Sequence, residues 1–314
     1  MTVLEAAASD AAGGNLGAVA EEAPRKRRRW LPKFVLALPS WFWYLSFFVV
    51  PLVLVIINSF GAKVQGSAGA VDLSNPSLDR YRDALNGTYF DVLSKTLRIS
   101  LIGTALCLII GFPMAYWLAV RVPQRWRGVL LGLVIIPFWT NFLVRTYAWM
   151  FILRTEGLLN TLLLKLGLIA TPIELLYSNT AVVIGLVYGY LPFMVLPLYA
   201  ALERVDRTLI EAAWDLYATR WAVFWRIIFP LARPGVMAGC LLVFIPSLGA
   251  FLTPDLLGGA RSMMIGNLIQ HEFLVARDWP LGAAISCVLM LLVVGMMGWS
   301  LRAAKTLPQR EDES

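Results

Sequence analysis

Residues 203–234 read ERVDRTLIEAAWDLYATRWAVFWRIIFPLARP, and the five arginines in this stretch, Arg204, Arg207, Arg220, Arg226 and Arg233, stand between two long apolar runs, 180–202 and 235–257. The stretch itself is patterned as two short helices. Val205, Leu209, Ala212, Ala213 and Leu216 recur at spacings of three and four, while Glu203, Arg207 and Glu211 follow one another at four on another face, with the acid ahead of the base in the favourable order. Thr219 is placed to cap a second helix from Arg220, along which Trp221, Phe224 and Trp225 also repeat at helical spacing. Pro230 is expected to end that helix, and Pro234 to occupy the first turn of the apolar run that follows.

Working outward, the chain is apolar almost throughout. Of its 314 residues 59% are hydrophobic and 15% charged, with a mean hydropathy of +0.69, too little polar surface to coat a soluble particle. A hydrocarbon layer of about 30 Å needs roughly 20 apolar residues in a helix. Six runs qualify: 34–58, 96–120, 128–153, 180–202, 235–257 and 281–301. A seventh, 158–169, is half that length and is expected to lie in the interface.

Basic residues test the assignment, because the side of a membrane facing the cytoplasm is enriched in Lys and Arg. The run Arg25-Lys26-Arg27-Arg28-Arg29, the interval with Arg121, Arg125 and Arg127, the five-arginine stretch and the end with Arg302, Lys305 and Arg310 all fall on one side. Both termini are therefore expected in the cytoplasm. The resulting organisation is a disordered basic tail at 1–33, a six-helix membrane domain at 34–302 carrying the cytoplasmic stretch 203–234, and a short tail at 303–314. A signal peptide cleaved near Gly66-Ser67-Ala68 is the competing reading of the N-terminus, but the run 34–58 exceeds the 7–15 apolar residues such a segment uses.

The formal net charge of +7 is read as topology, with lipid rather than nucleic acid as the surrounding partner. Cys107, Cys240 and Cys287 each sit in an apolar run without metal-ligand spacing and read as packing residues. No metal site is expected. No phosphate-cradling G-x-x-x-x-G-K-[ST] occurs and no nucleophile–base set suggests an enzyme; any ATP would have to be bound and hydrolysed by another chain.

On physical grounds the 203–234 stretch suits equally a helical pair that inserts into a partner's groove or an amphipathic hairpin resting on lipid. Glu211-Ala212-Ala213, followed by Ile227, Ile228, Phe229 and Pro230, resembles the EAA loop of permease subunits of ATP-binding-cassette importers, E-A-A, three residues, G, nine residues, I-x-L-P. The spacing from Glu211 to Pro230 matches. Tyr217 stands where that pattern has glycine, and Phe229 replaces leucine; if the position needs a left-handed backbone, tyrosine there costs on the order of 1 to 2 kcal/mol. The runs 137–147, 185–188, 191–197, 256–259, 265–267 and 277–280 are similar to the spermidine/putrescine permease subfamily. The resemblance implies an all-α, type I importer permease in the bacterial inner membrane that moves polyamines by alternating access. It also implies a second homologous permease, two ATPase subunits and a periplasmic substrate-binding protein as partners. In that reading Glu211, Ala212, Ala213, Tyr217 and Pro230 couple to the ATPase. An importer of another small solute (organic cation, amino acid or phosphonate) and an ion-coupled secondary transporter are the alternatives.

Ammonium groups crossing a membrane protein need carboxylates or aromatic faces. Trp139, Tyr147, Tyr188, Tyr190 and Asp255 are the candidates for the path, each with a competing reading as a packing or interface residue. Arg145, in the outer half of the third run, must pair, snorkel or meet water, and reads as a structural tie or a gate latch. Glu174, Glu272 and Asp278 fall in outer intervals and are expected to face solvent, with contact to the binding protein as the alternative, and His271, also in an outer interval, is expected to be exposed.

Overall fold

The computed structural model describes residues 33–64 and 69–305. The expected tails, apart from their helical ends, and the 66–68 stretch lie outside the described residues. The chain divides into two units, Met1–Pro51 and Leu52–Ser314. Helix α1 (Leu38–Asn58) is one continuous apolar rod with a single wide π-turn at Leu45–Val49.

In the second unit a two-residue hairpin, β1 (Ala62–Lys63) against β2 (Val71–Asp72), and a short helix α2 (Asp79–Leu85) precede α3 (Gly87–Arg121). Then come α4 (Gln124–Trp139), α5 (Phe142–Leu153), α6 (Leu158–Lys165), α7 (Asn179–Glu203) and α8 (Arg207–Asp215). The chain closes with α9 (Arg220–Leu248), α10 (Ile265–Leu274) and α11 (Trp279–Lys305).

The core is built by α3, α7 and α9. Cys107 on α3 meets the Val187 carbonyl of α7 at 3.6 Å, and a Cβ at Gly111, one turn further along α3, would lie 3.0 Å from Met194, so these two helices run parallel. A Cβ at Gly235 of α9 would come 2.6 Å from the Ala201 Cβ and 2.7 Å from the Pro197 carbonyl, while one at Gly239 would meet the Met194 sulfur at 2.7 Å; α9 is thus antiparallel to α7 and touches it backbone to backbone. Lipid is as apolar as leucine, so such close approach, with its dense dispersion contacts, is what holds membrane helices together. Cys107, Phe112, Met194, Leu198, Val223 and Val243 belong to this cluster and Cys240 packs against it; Cys107 and Cys240 are free cysteines serving as packing residues there, and Cys287 is free and buried on α11. A second cluster joins α2, the start of α3, α10 and α11 through Leu93, Ile265, Leu268 and Ile285.

Four expectations change. The third apolar run is not one straight span: α4 and the helix after it meet at 88°, with Thr140 and Asn141 extended between them (ψ 149° and 132°). The Asn141 side chain accepts the Leu143 N–H at 2.8 Å and so starts a new helix. The fifth span is displaced, running Arg220–Leu248 rather than 235–257, with residues up to Gly258 forming a separate π-turn, Pro254–Gly258. Pro230 does not end the second loop helix. A π-turn at Phe224–Ile228, closed by the Phe229 N–H on the Phe224 carbonyl, widens the helix just ahead of the proline, making room for its ring and for its missing donor. Pro234 is likewise an interior residue. Among the described residues five helices are long and apolar enough to cross a membrane, or six with the bent pair counted as one.

Candidate functional site

The stretch between α7 and α9 folds as helix, turn, helix. Asp206 caps α8, its Oδ1 accepting the Thr208 N–H at 2.9 Å, and that bond holds the exposed carboxyl below its ordinary range. Glu203 therefore ends α7 and Arg207 begins a different helix, so the Glu203–Arg207 pairing expected from spacing has no shared helix to act along.

The apolar face differs too. Ile210 and Ala213, three apart, are the residues α8 buries against the core, whereas Leu209, Ala212 and Leu216 are exposed. Glu211 is exposed as well. The turn is a Schellman motif: the Tyr217 N–H donates to the Trp214 carbonyl at 2.9 Å and the Ala218 N–H to the Ala213 carbonyl at 3.0 Å. This arrangement requires a left-handed residue, and Tyr217 supplies it with φ 56°, a conformation that suits glycine and costs an L side chain about 1 kcal/mol. Its ring is 96% exposed. Thr219 then caps α9 through the Ala222 N–H at 3.3 Å, as its position suggested.

At the start of α9, Trp221 and Trp225 meet edge to face at 5.6 Å, Phe224 meets both Trp225 and Phe112 of α3 edge to face, and Trp221 is 71% exposed. Glu211, Trp214, Arg220 and Trp221 line one groove of about 660 Å³ with Arg121 and Tyr116 of α3. Between this surface and the rest of α9 stands only the π-turn at Phe224–Ile228. Twenty-nine residues make a rod of about 43 Å at 1.5 Å each, longer than the roughly 30 Å hydrocarbon layer, so the loop's second helix is the protruding end of the span.

The other feature lies at the break between α4 and α5. The last carbonyls of α4 lose their helical partners there. That of Pro137 is taken up by the Thr140 hydroxyl at 2.7 Å and by Arg145 Nη1 at 3.0 Å. The guanidinium lies over the rings of Phe138, Phe142 and Tyr188 at 5.2, 5.5 and 5.8 Å. A cation at a helix C-terminus complements the dipole, and aromatic faces replace the absent carboxylate. Arg145 is thus a tie across the bend, one of the two roles its sequence position allowed.

From Phe138 the ring contacts continue to Phe193 at 4.9 Å and on to Tyr190, whose hydroxyl donates to the Pro246 carbonyl of α9 at 3.3 Å. Tyr188 meets Trp149 at 5.4 Å. Of the expected path residues, Tyr188 and Tyr190 enter this cluster. Trp139 (86% exposed) and Tyr147 flank it without a ring contact among those described, and Asp255 is exposed in the Pro254–Gly258 turn. Phe138, Phe142, Trp149 and Phe193 were not singled out; an arginine inside an apolar run was the signal that could have led to the first two.

Glu272 and Asp278 correct another expectation, since both are buried. Asp278 is approached by Lys63 at 3.8 Å and Arg80 at 3.7 Å and caps α11 through the Leu281 N–H. Burial, with nearby Asp278, pushes the Glu272 carboxyl up against the opposing pull of His271. His271 is about half exposed, and Glu174 is exposed, as expected.

Several helices long and apolar enough to cross a membrane, with a charged, helical surface loop between two of them, mark a multi-pass membrane protein. Residues 108–303 match the family described as binding-protein-dependent transport system inner membrane component. The chain belongs to that family and is a multi-pass inner-membrane protein. It is 46% identical over 255 residues, 81% of its length and 91% of the relative's, to the spermidine/putrescine transport system permease protein PotB of Escherichia coli strain K12. Among solved structures, its fold matches a bacterial ABC transporter involved in the import of the acidic polysaccharide alginate (TM-score 0.69, 15% identity, 88% of this chain and 96% of that one). It also matches a bacterial alginate ABC transporter in complex with an alginate pentasaccharide-bound periplasmic protein (TM-score 0.66, 18% identity, 85% and 91%).

Proposed function

We propose that this chain is a permease subunit of an ATP-driven importer of polyamines, spermidine and putrescine, with six spans in a domain at 34–302 and both termini in the cytoplasm. It pairs with a second homologous permease, takes its substrate from a periplasmic binding protein, and alternates between outward and inward access as two ATPase subunits close and open beneath it. The 203–234 loop docks the ATPase through Glu211, Ala212 and the exposed apex at Leu216, Tyr217 and Trp221, while Ala213 seats the loop on the core.

One observation carries the docking role: α9 stays helical, through the single π-turn at Phe224–Ile228, from the exposed loop to Leu248, so a load applied at Trp221 reaches the level of Pro246 through one helix. A hairpin merely resting on lipid has no need of that continuity. The likeness to PotB at 46% identity supports polyamines as the cargo. In the described spans the acids are Asp91 and Glu203 near helix ends and Glu156 in the turn between α5 and α6, none in a helix interior, which speaks against an ion-coupled carrier built on intramembrane carboxylates and leaves aromatic faces and helix-end carbonyls for ammonium groups. Trp139, Tyr147, Tyr188, Tyr190 and Asp255 are the residues assigned to that path.

Glu211→Lys tests the docking role. The variant is expected to insert at normal levels, to lose the ATPase on co-purification and to abolish uptake of radiolabelled spermidine; normal uptake would remove the loop from the coupling pathway.

A further inference from the structure

The loop's two ends are attached differently. Its exit is rigid because α9 continues it, but its entry passes through residues 204–206 between α7 and the Asp206-capped start of α8. At that entry stands Glu203, the last residue of α7. Its Oε1 accepts the Tyr199 hydroxyl at 2.7 Å and is met by Arg127 Nη1 of α4 at 3.4 Å. The same guanidinium donates from Nε to the Val122 carbonyl at 3.0 Å, in the elbow joining α3 to α4. The Arg127 side chain is 15% exposed and that of Glu203 45%, so solvent screens the pair from the Glu203 side only in part.

Helix α4 has little else to hold it. None of its residues is fully buried; it leans on the core through the half-buried Leu130, Leu131 and Val134. Its polar attachments are at its ends: Arg127 to the base of the loop, and the Pro137 carbonyl to Arg145 across the break.

We infer that Arg127, Glu203 and Tyr199 form a second transmission link, through which the loop moves α4 and, by way of the Arg145 tie, the 88° break at Thr140 and Asn141. The inference rests on the coupling role proposed for the loop. The three are positioning residues: they touch neither cargo nor nucleotide and act by making α4 follow Glu203. A static brace would use the same contacts but would not change how much substrate moves per ATP.

The complete transporter, with its binding protein, in proteoliposomes separates the two. Radiolabelled spermidine taken up and phosphate released are measured together for the unsubstituted protein, Arg127→Glu, Glu203→Arg, the double exchange and Tyr199→Phe. Arg127→Glu, which sets two carboxylates against each other, is expected to lower spermidine moved per ATP by about 5-fold while ATP hydrolysis and thermal midpoint stay near the unsubstituted values. The double exchange is expected to restore the ratio, and Tyr199→Phe to lower it less than Arg127→Glu does. An unchanged ratio in Arg127→Glu, a parallel loss of ATP hydrolysis and thermal stability, or a double exchange that fails to restore the ratio would overturn the link. Uptake by the unsubstituted transporter that needs no ATP would instead overturn the coupling role on which it rests.

Discussion

Helix α7 contains two prolines, Pro192 and Pro197, and stays one helix from Asn179 to Glu203; the α4–α5 pair contains one, Pro137, and turns by 88°. Proline number therefore does not decide where a membrane helix breaks. Helix α7 is packed between α3 and α9, with Met194, Val195 and Leu198 wholly buried, and its neighbours hold the rod in line while carbonyls freed by proline adjust locally. Helix α4 buries nothing fully, and just past its proline the sequence supplies three groups that satisfy a helix end: the Thr140 hydroxyl, the Asn141 cap and the Arg145 guanidinium. A break forms where packing is thin and alternative partners are at hand. The dense trio is then the frame, and the bent pair the part free to move against it.

The most damaging way to break the comparison is to wedge the frame apart. Gly235→Val would drive a branched side chain into the Ala201 Cβ and the Pro197 carbonyl. Since backbone cannot yield, a loss above about 3 kcal/mol is expected, read as a collapse of the thermal midpoint in detergent and loss of the protein from the membrane fraction. On α4 a Cβ at Gly132 would meet nothing within 4 Å, so Gly132→Ala should not lower the midpoint.

Releasing the bend comes next. Arg145→Ala removes a charge-assisted hydrogen bond and three aromatic contacts, a loss of about 2 kcal/mol, with spermidine uptake falling more steeply than stability. Arg145→Lys, which keeps the charge but not the planar fork, should fall between.

Tyr217→Gly acts in the opposite direction. Relief of the left-handed tyrosine should raise loop stability by about 1 kcal/mol, measured by slower amide exchange across 212–220, with the midpoint of the α3–α7–α9 frame little altered. The smallest effect concerns Glu272. Its carboxyl binds a proton more tightly folded than unfolded, so the stability it contributes is complete at low pH and is lost as pH rises through its raised pKa. Glu272→Gln should flatten the dependence of thermal midpoint on pH over that range.

These residues also show how far the chain could be read without coordinates. The apolar runs, the loop as a helical pair and the Thr219 cap were legible because each is local, fixed by hydropathy, spacing or capping chemistry within a few residues, whereas the question of a left-handed backbone at Tyr217 arose only from the glycine of the pattern that the loop resembles. The run-through of α9 past Pro230 was not, since a proline reads as a stop unless the π-turn that accommodates it is seen. Leu209 and Leu216 read as buried because periodicity identifies an apolar face without saying whether the chain's own core or something else covers it. Arg145 was conspicuous, but its acceptor is a backbone carbonyl, and every residue carries one. Glu203 seemed destined for Arg207 by spacing; Arg127, seventy-six positions earlier, is a partner that only the packing of α4 against the end of α7 could reveal.

The most direct test is spermidine accumulation by proteoliposomes holding the complete transporter, with no ion gradient and with either ATP or a non-hydrolysable analogue on the side of the 203–234 loop. Accumulation with ATP, none with the analogue and none from Glu211→Lys with ATP is the expected result. Accumulation that follows an imposed ion gradient without ATP, or that survives in Glu211→Lys, would contradict it.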